Sequence, residues 1–300
     1  MWTKLWISRP TYDTLTGRHR APERFTNPFA EASMKTNLPV SIEFIYQLFA
    51  LIVIVIVVHA VYVAAVRPAA QTFLAEQAER AASGQTTATE QSIPVMIKDY
   101  EQEACFILMF WALAIMAYKS VVIVRHRQLL NTDLIPLAEG VRVLPEDSLA
   151  LSRRIQALPP HQRDSLLPRA LLAALQRFSS TRNVQDVANA MLAYCSNEGE
   201  RLDAELAMIR YIAWAIPSVG FIGTVRGIGQ ALGYAHKALE GDIMEVTRSL
   251  GVAFNSTLIA LLISIVLMFL LHQLQLLQER YILDTEAYCE DKLTCRLHTH

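Results

Sequence analysis

Charge is scarce in this chain. Asp, Glu, Lys and Arg make up 18% of its 300 residues, where a soluble globular chain averages about 25%, so an ordinary soluble enzyme is disfavoured. Neither sign dominates: 27 Lys+Arg against 28 Asp+Glu give a net charge of -1, which offers nucleic acid no basic field. Cysteine is scarce too. Cys105, Cys195, Cys289 and Cys295 are too few and too scattered for a disulfide framework. The tail group Cys289, Cys295, His298 and His300 has no trusted zinc spacing and reads as a disordered terminus. There is no Gly-rich phosphate loop, no G-x-S-x-G elbow and no H-E-x-x-H pair, so neither enzyme chemistry nor a cofactor is expected. Internal repeats and strand-like alternation are also missing.

What is abundant is apolar sequence, 53% of residues, gathered into four blocks that each approach the roughly 20 residues a membrane helix needs. Phe44 to Val66 holds only His59 as an ionisable group, Ala104 to Val124 only Lys119, Tyr211 to Ala235 only Arg226 near its outer part, and Val252 to Leu271 none. Basic residues crowd the first forty positions (Lys4, Arg9, Arg18, Arg20, Arg24, Lys35) and the stretch from Arg125 to Arg201, while 67–103 carries six acidic residues. The positive-inside rule then puts both termini and the central segment in the cytoplasm. The first forty residues lack an apolar h-region, so no signal peptide is expected.

The expected layout is a cytoplasmic segment 1–40, spans at 41–66, 104–124, 209–235 and 252–277, and periplasmic stretches at 67–103 and 236–251. A helical cytoplasmic domain at 125–208 and a cytoplasmic tail at 278–300 complete it. The fold class is an all-α membrane protein with four transmembrane helices and a helical cytoplasmic domain. Pro68 is read as opening a polar helix that Gly84-Gln85-Thr86-Thr87 breaks. Gly199 is read as a kink. Leu267, Leu270, Leu274, Leu277 and Tyr281 predict that the last helix runs on past the bilayer and packs against a neighbour.

Spans three and four carry the informative residues. IPSVGFIGTVRGIGQALG (216–233) contains Gly220 and the G-x-x-x-G spacings Gly223/Gly227 and Gly229/Gly233, which let another helix approach closely. Thr224 falls on or beside that face. In LGVAFNSTLIALLISI (250–265), Asn255, Ser256, Thr257 and Ser264 interrupt an oily helix. These hydroxyls either line a narrow polar path or bond back to carbonyls four residues earlier and hold helices together.

At these positions the chain resembles the MotA/TolQ/ExbB proton channel family, through Pro217-Ser218-x-Gly220-Phe221-x-Gly223-Thr224-Val225-x-Gly227-Ile228 and Ala253-x-x-x-Thr257. The resemblance covers roughly Leu202 to Tyr281. It implies that Thr224 and Thr257 face a channel interior, with Asn255 and Ser264 as further lining candidates. Four spans look more like MotA than three-span TolQ and ExbB, and Arg226 stands where TolQ-like members carry Trp.

No Asp or Glu lies within the four spans, Glu43 sitting at the edge of the first, although intramembrane proton transfer normally uses a titratable relay. The carrier is then His59, a water wire, or a carboxylate from another chain. The resemblance favours the last: a homopentamer around a single-span MotB/TolR/ExbD-like partner with a membrane Asp. His59 otherwise reads as a core or interface histidine bonded to a carbonyl. Arg226 reads as lying somewhat beyond the midplane, facing an interface, a watery vestibule, an acid on a partner or neighbouring subunit, or snorkelling to headgroups. The expected function is an ion-conducting, proton-driven stator subunit of the bacterial inner membrane. A non-conducting scaffold of the same fold and a channel acting alone are its rivals.

Overall fold

In hydrocarbon, backbone N–H and C=O groups are satisfied only within helices or closed barrels, and each apolar run of this chain is helical. The computed structural model describes residues 42–83, 92–135, 142–241 and 243–298; the first forty residues and the Gly84–Thr87 break fall outside them. Helix α1 (Ile42–Val61) passes through one π-helical turn (Tyr62–Val66) into α2 (Arg67–Ala82). Pro68 therefore sits inside a continuous helix instead of opening one. The wider π turn directly before it accommodates the ring, which would otherwise clash with the carbonyl four residues back.

A short α3 (Ile93–Ile97) precedes α4 (Tyr100–Gln128). Helices α5 (Ser148–Gln156), α6 (Pro160–Arg163), α7 (Leu166–Thr181) and α8 (Val184–Glu205) follow. After Leu206 come α9 (Ala207–Gly233), a short α10 (Ala235–Leu239) and α11 (Met244–Lys292). Four helical stretches, Glu43–Gln77, Tyr100–Asn131, Val184–Gly233 and Met244–Arg296, are long and apolar enough to cross a membrane. Among the described residues the one β contact is an isolated bridge between Val143 and Leu297. The chain is an all-α, multi-pass membrane protein.

At 49 residues, α11 is about 73 Å long at 1.5 Å per residue, more than twice the hydrocarbon thickness. Its far half packs into the helical layer through Leu267, Leu271, Leu274, Gln278, Tyr281, Thr285 and Cys289, all buried. This stripe runs through Leu271 and Gln278 where the sequence reading had Leu270 and Leu277. Against it lie Leu167, Leu171, Leu175 and Phe178 of α7 and Val187, Met191 and Cys195 of α8, in one apolar cluster. Gly199 lies inside α8, which runs without a break from Val184 to Glu205. A Cβ there would stand 3.2 Å from Ile282 Cδ1, so its smallness sets the approach of α11.

The tail up to His298 is packed rather than loose: Val143 N–H donates to Arg296 O at 2.9 Å and His298 N–H to Val143 O at 3.2 Å. Cys289 is buried while Cys295 is exposed, which separates them as prospective metal ligands, and His300 lies outside the described residues. Burial, with Glu286 and Glu198 adding to it, pushes the Cys195 thiol up to about 11, and burial raises the Cys289 thiol further.

Candidate functional site

Helices α9 and α11 lie against one another along small residues. A Cβ at Gly220 would come within 2.6 Å of Ala260 Cβ, one at Gly223 within 2.6 Å of Ser256 Cβ, and one at Gly227 within 2.8 Å of Ala253 Cβ and Ser249 O. Contacts that short do not occur between real side chains, so glycine at these three places lets the backbones meet. Gly229 and Gly233, expected to share this role, have nothing within 4 Å of such a Cβ. Two residues past Gly227 an α-helix has turned about 200°, so they point off the face that carries Gly223, Gly227 and the buried Ala231.

The seam holds the two threonines together. Thr224 Oγ1 meets Thr257 Oγ1 in a short hydrogen bond and lies 3.2 Å from both Gly220 O and Ala253 O. Thr257 Oγ1 also lies 3.3 Å from Gly220 O. Two hydroxyl protons and two carbonyl acceptors can be arranged in either direction: Thr224 to Thr257 to Gly220 O, or Thr257 to Thr224 to Ala253 O. Both side chains remain half-buried. Further along, Ser264 donates to Ala213 O across the seam at 3.1 Å. Asn255 is half-buried beside the buried Ser256.

Near the threonines, α4 brings in a polar cluster that hydropathy does not reveal. Arg226 Nη2 donates to Glu101 Oε2 at 2.8 Å, with the Glu101 side chain 11% and Arg226 38% exposed. Gln102 is buried, and its Nε2 donates to Ser256 Oγ and to Met96 O, each at 3.2 Å. The next acid, Glu103, is buried between two basic side chains: His59 Nδ1 lies 2.7 Å from Oε1 and Arg67 Nη2 lies 2.5 Å from Oε2. Arg67 also stands over the rings of Tyr62 and Tyr100. Both acids occupy the first turn of α4, where the helix dipole favours negative charge.

A second charged layer lies at the opposite end, beside α8. Lys119 Nζ, buried, contacts Glu43 of α1 at 2.5 Å and Glu205 of α8 at 2.9 Å. Along the helices, Glu103 to Lys119, His59 to Glu43 and Arg226 to Glu205 span about 24 to 31 Å at 1.5 Å per residue, close to the hydrocarbon thickness of roughly 30 Å. The two layers are thus spaced as the two edges of a bilayer core. Arg226 lies in one of these layers, and an acid of its own chain, Glu101, pairs with it. His59 likewise pairs with a carboxylate rather than the carbonyl expected of it.

Glu101, Gln102 and Glu103 escaped the sequence reading because the second apolar block was started at Ala104, whereas α4 starts at Tyr100. The available signal was Asp99 followed by acids at Glu101 and Glu103, the pattern of a helix N-terminus continuous with the apolar run. Their partners, 36, 44 and 125 residues away in sequence, have no local signature.

Residues 162–287, which contain α9, most of α11 and both threonines, match the family model described as the MotA/TolQ/ExbB proton channel family. Searches of curated proteins and of solved structures gave no match. Glu101, Glu103 and His59 lie outside the matched segment. Residues 162–287 are thus the segment through which the chain is similar to the MotA/TolQ/ExbB proton channel family.

Proposed function

We propose that this protein is the ion-conducting, stator-type subunit of an inner-membrane motor, passing protons along the α9–α11 seam. The observation that carries this reading is the Thr224–Thr257 pair, placed within the matched segment and able to orient its hydrogen bonds either way. A hydroxyl pair of this kind relays hydrogen bonds to water or to an acid docked on its open side. The faces beside it are apolar and bare: Trp214, Phe221 and Val225 of α9 and Phe254 and Ile265 of α11 are all exposed. A second copy of the chain and a single-span partner bearing a membrane Asp suit such faces, and the family favours a homopentamer. Basic residues at 125–201 argue for placing the helical layer and both termini in the cytoplasm.

A non-conducting scaffold remains the rival, favoured by one observation: Thr224, Thr257 and Ser264 all find acceptors inside the chain. Thr224→Val and Thr257→Val separate the readings, since valine removes the hydroxyl at nearly constant volume. The expected outcome is an intact oligomer that retains its partner and loses ion-driven work. Full activity in both variants would reduce the threonines to helix glue. For orientation, a cysteine near Ser165, at the exposed Asp164, should escape impermeant labelling in intact cells while one near Thr87 reacts; labelling at position 164 overturns it.

A further inference from the structure

The absence of a carboxylate from the apolar blocks made a partner's acid the natural carrier, yet the folded chain brings one of its own to the seam. Glu101, Ser256 and Gly223 converge on a single point: a Cβ on Gly223 would lie 2.7 Å from Ser256 Oγ and 3.2 Å from Glu101 Cγ. Thr224 is the next residue after Gly223, and Thr257 the next after Ser256. Glu101 therefore meets the seam at Gly223 and Ser256, the residues next in sequence to the threonine pair, and pairs there with Arg226.

Two buried atoms on residues next to Glu101 in sequence or paired with it, Gln102 Oε1 and Arg226 Nε, have no hydrogen-bond partner among the described residues. Gln102 is only 1% exposed. A buried acceptor or donor left unsatisfied is costly, and water, which both donates and accepts, is a partner suited to either. By contrast, Glu103 has both oxygens engaged, by His59 and by Arg67, and Glu101 is held by Arg226 through Oε2.

We propose that Glu101 is a resident proton-binding carboxylate at the mouth of the threonine pair, with Arg226 as its releasable counter-charge and Gln102 and Ser256 holding water beside it. This rests on the threonines being an ion path. In the step, a hydronium ion transfers its proton to a Glu101 carboxylate oxygen, forming the O–H bond and leaving neutral water, and Arg226 loosens as the carboxylate is neutralised. Return of the proton to water on the threonine side restores the Arg226–Glu101 pair.

The groups facing Glu101 are Arg226 from α9 and uncharged Ser256 from α11. On its own helix are Glu103 and Cys105, the former engaged by His59 of α1 and Arg67 of α2, and Lys98 and Asp99 pair with each other just before α4. Among the described residues, Arg226 is the cation paired with Glu101.

The test is reaction of the full-length protein in membranes with dicyclohexylcarbodiimide, which captures protonated carboxyls in apolar surroundings, with adducts located by peptide mass mapping. Labelling at Glu101 that fades as pH rises, and that increases severalfold in Arg226→Leu, is expected. No adduct at Glu101 in either protein across about pH 5 to 8 would overturn the proposal and leave a fixed ion pair. This readout needs no partner, so it stands even if ion conduction by the threonine pair fails its own test.

Given a conducting complex, Glu101→Gln should keep the oligomer and lower flux about 100-fold, the scale of a lost acid–base group. Full flux in Glu101→Gln beside lost flux in Thr224→Val would overturn this proposal alone. The exchanged pair Glu101→Arg with Arg226→Glu distinguishes positioning from proton binding: recovery of assembly without flux is expected, and recovery of both would show that only the ion pair matters.

Discussion

The two charged layers of this bundle are built from similar residues and differ in what they leave open. Beside α8, a buried lysine is shared between two acids, and each acid is about one-third exposed; Glu205 has Arg201 as a further partner at 3.2 Å. Charges alternate, and every group reaches either an opposite charge or water. At the other layer, a buried glutamate takes an arginine and a histidine, nearby Glu101 takes one arginine, and Gln102 Oε1 and Arg226 Nε are left without partners among the described residues. One layer ties helices together; the other has unspent hydrogen-bonding capacity next to the threonines. A buried ion pair gives little net stability by itself because desolvation opposes attraction, so what distinguishes the layers is their response when one member is changed.

The largest effect is expected at Lys119. Lys119→Met removes the shared cation and leaves Glu43 and Glu205 facing one another in a partly desolvated site. Breaking a buried pair costs about 3–5 kcal/mol, and the partial exposure of both acids places this loss near 3. Thermal unfolding in detergent should fall accordingly, together with loss of native-gel assembly. An unchanged melting temperature would show that Lys119 does not tie α1, α4 and α8 together, and the contrast between layers would disappear.

Glu103→Gln should matter less. The amide keeps one acceptor for Arg67 or His59, and His59, with a side chain 57% exposed, can regain solvent. A hydrogen bond to a charged group is worth about 1.5–3 kcal/mol, so a loss of about 1.5 kcal/mol is expected from thermal melts. A loss matching Lys119→Met would mean that this layer is just as much a structural clamp, which would weaken the case for chemistry there.

The sequence reading reached the helices, the extension of α11 and the close approach at Gly220, Gly223 and Gly227, because each follows from local periodicity. It gave Gly229 and Gly233 a packing role from their G-x-x-x-G spacing alone, while they point off the face that meets α11 and nothing stands against them. The continuous α1–α2 helix was not legible, since a π turn ahead of Pro68 has no composition signal. Least legible was the polar cluster. A hydropathy window ends an apolar block at its first charges, and so it separated Glu101 and Glu103 from the helix that carries them and from the cations that make them tolerable there.

The smallest expected effect concerns acid. Burial alone would raise the Glu205 carboxyl, but the hydrogen bond and charge of Lys119, with Arg201 beyond, hold it below its ordinary value. The folded protein thus gives up this proton more readily than the unfolded chain, whose glutamate titrates near about 4.3. The contribution to stability is present above that value and is lost as pH falls through the lower, folded value. Melting temperature should be flat from about pH 8 to 5 and decline below about 4.3. Glu205→Gln should melt slightly lower at neutral pH, because Lys119 keeps only Glu43, and should decline less steeply in acid, because one linked proton is gone. Equal acid slopes for the two proteins would mean that Glu205 is not held by Lys119 in solution, and that the layer beside α8 is as loosely satisfied as the one beside the threonines.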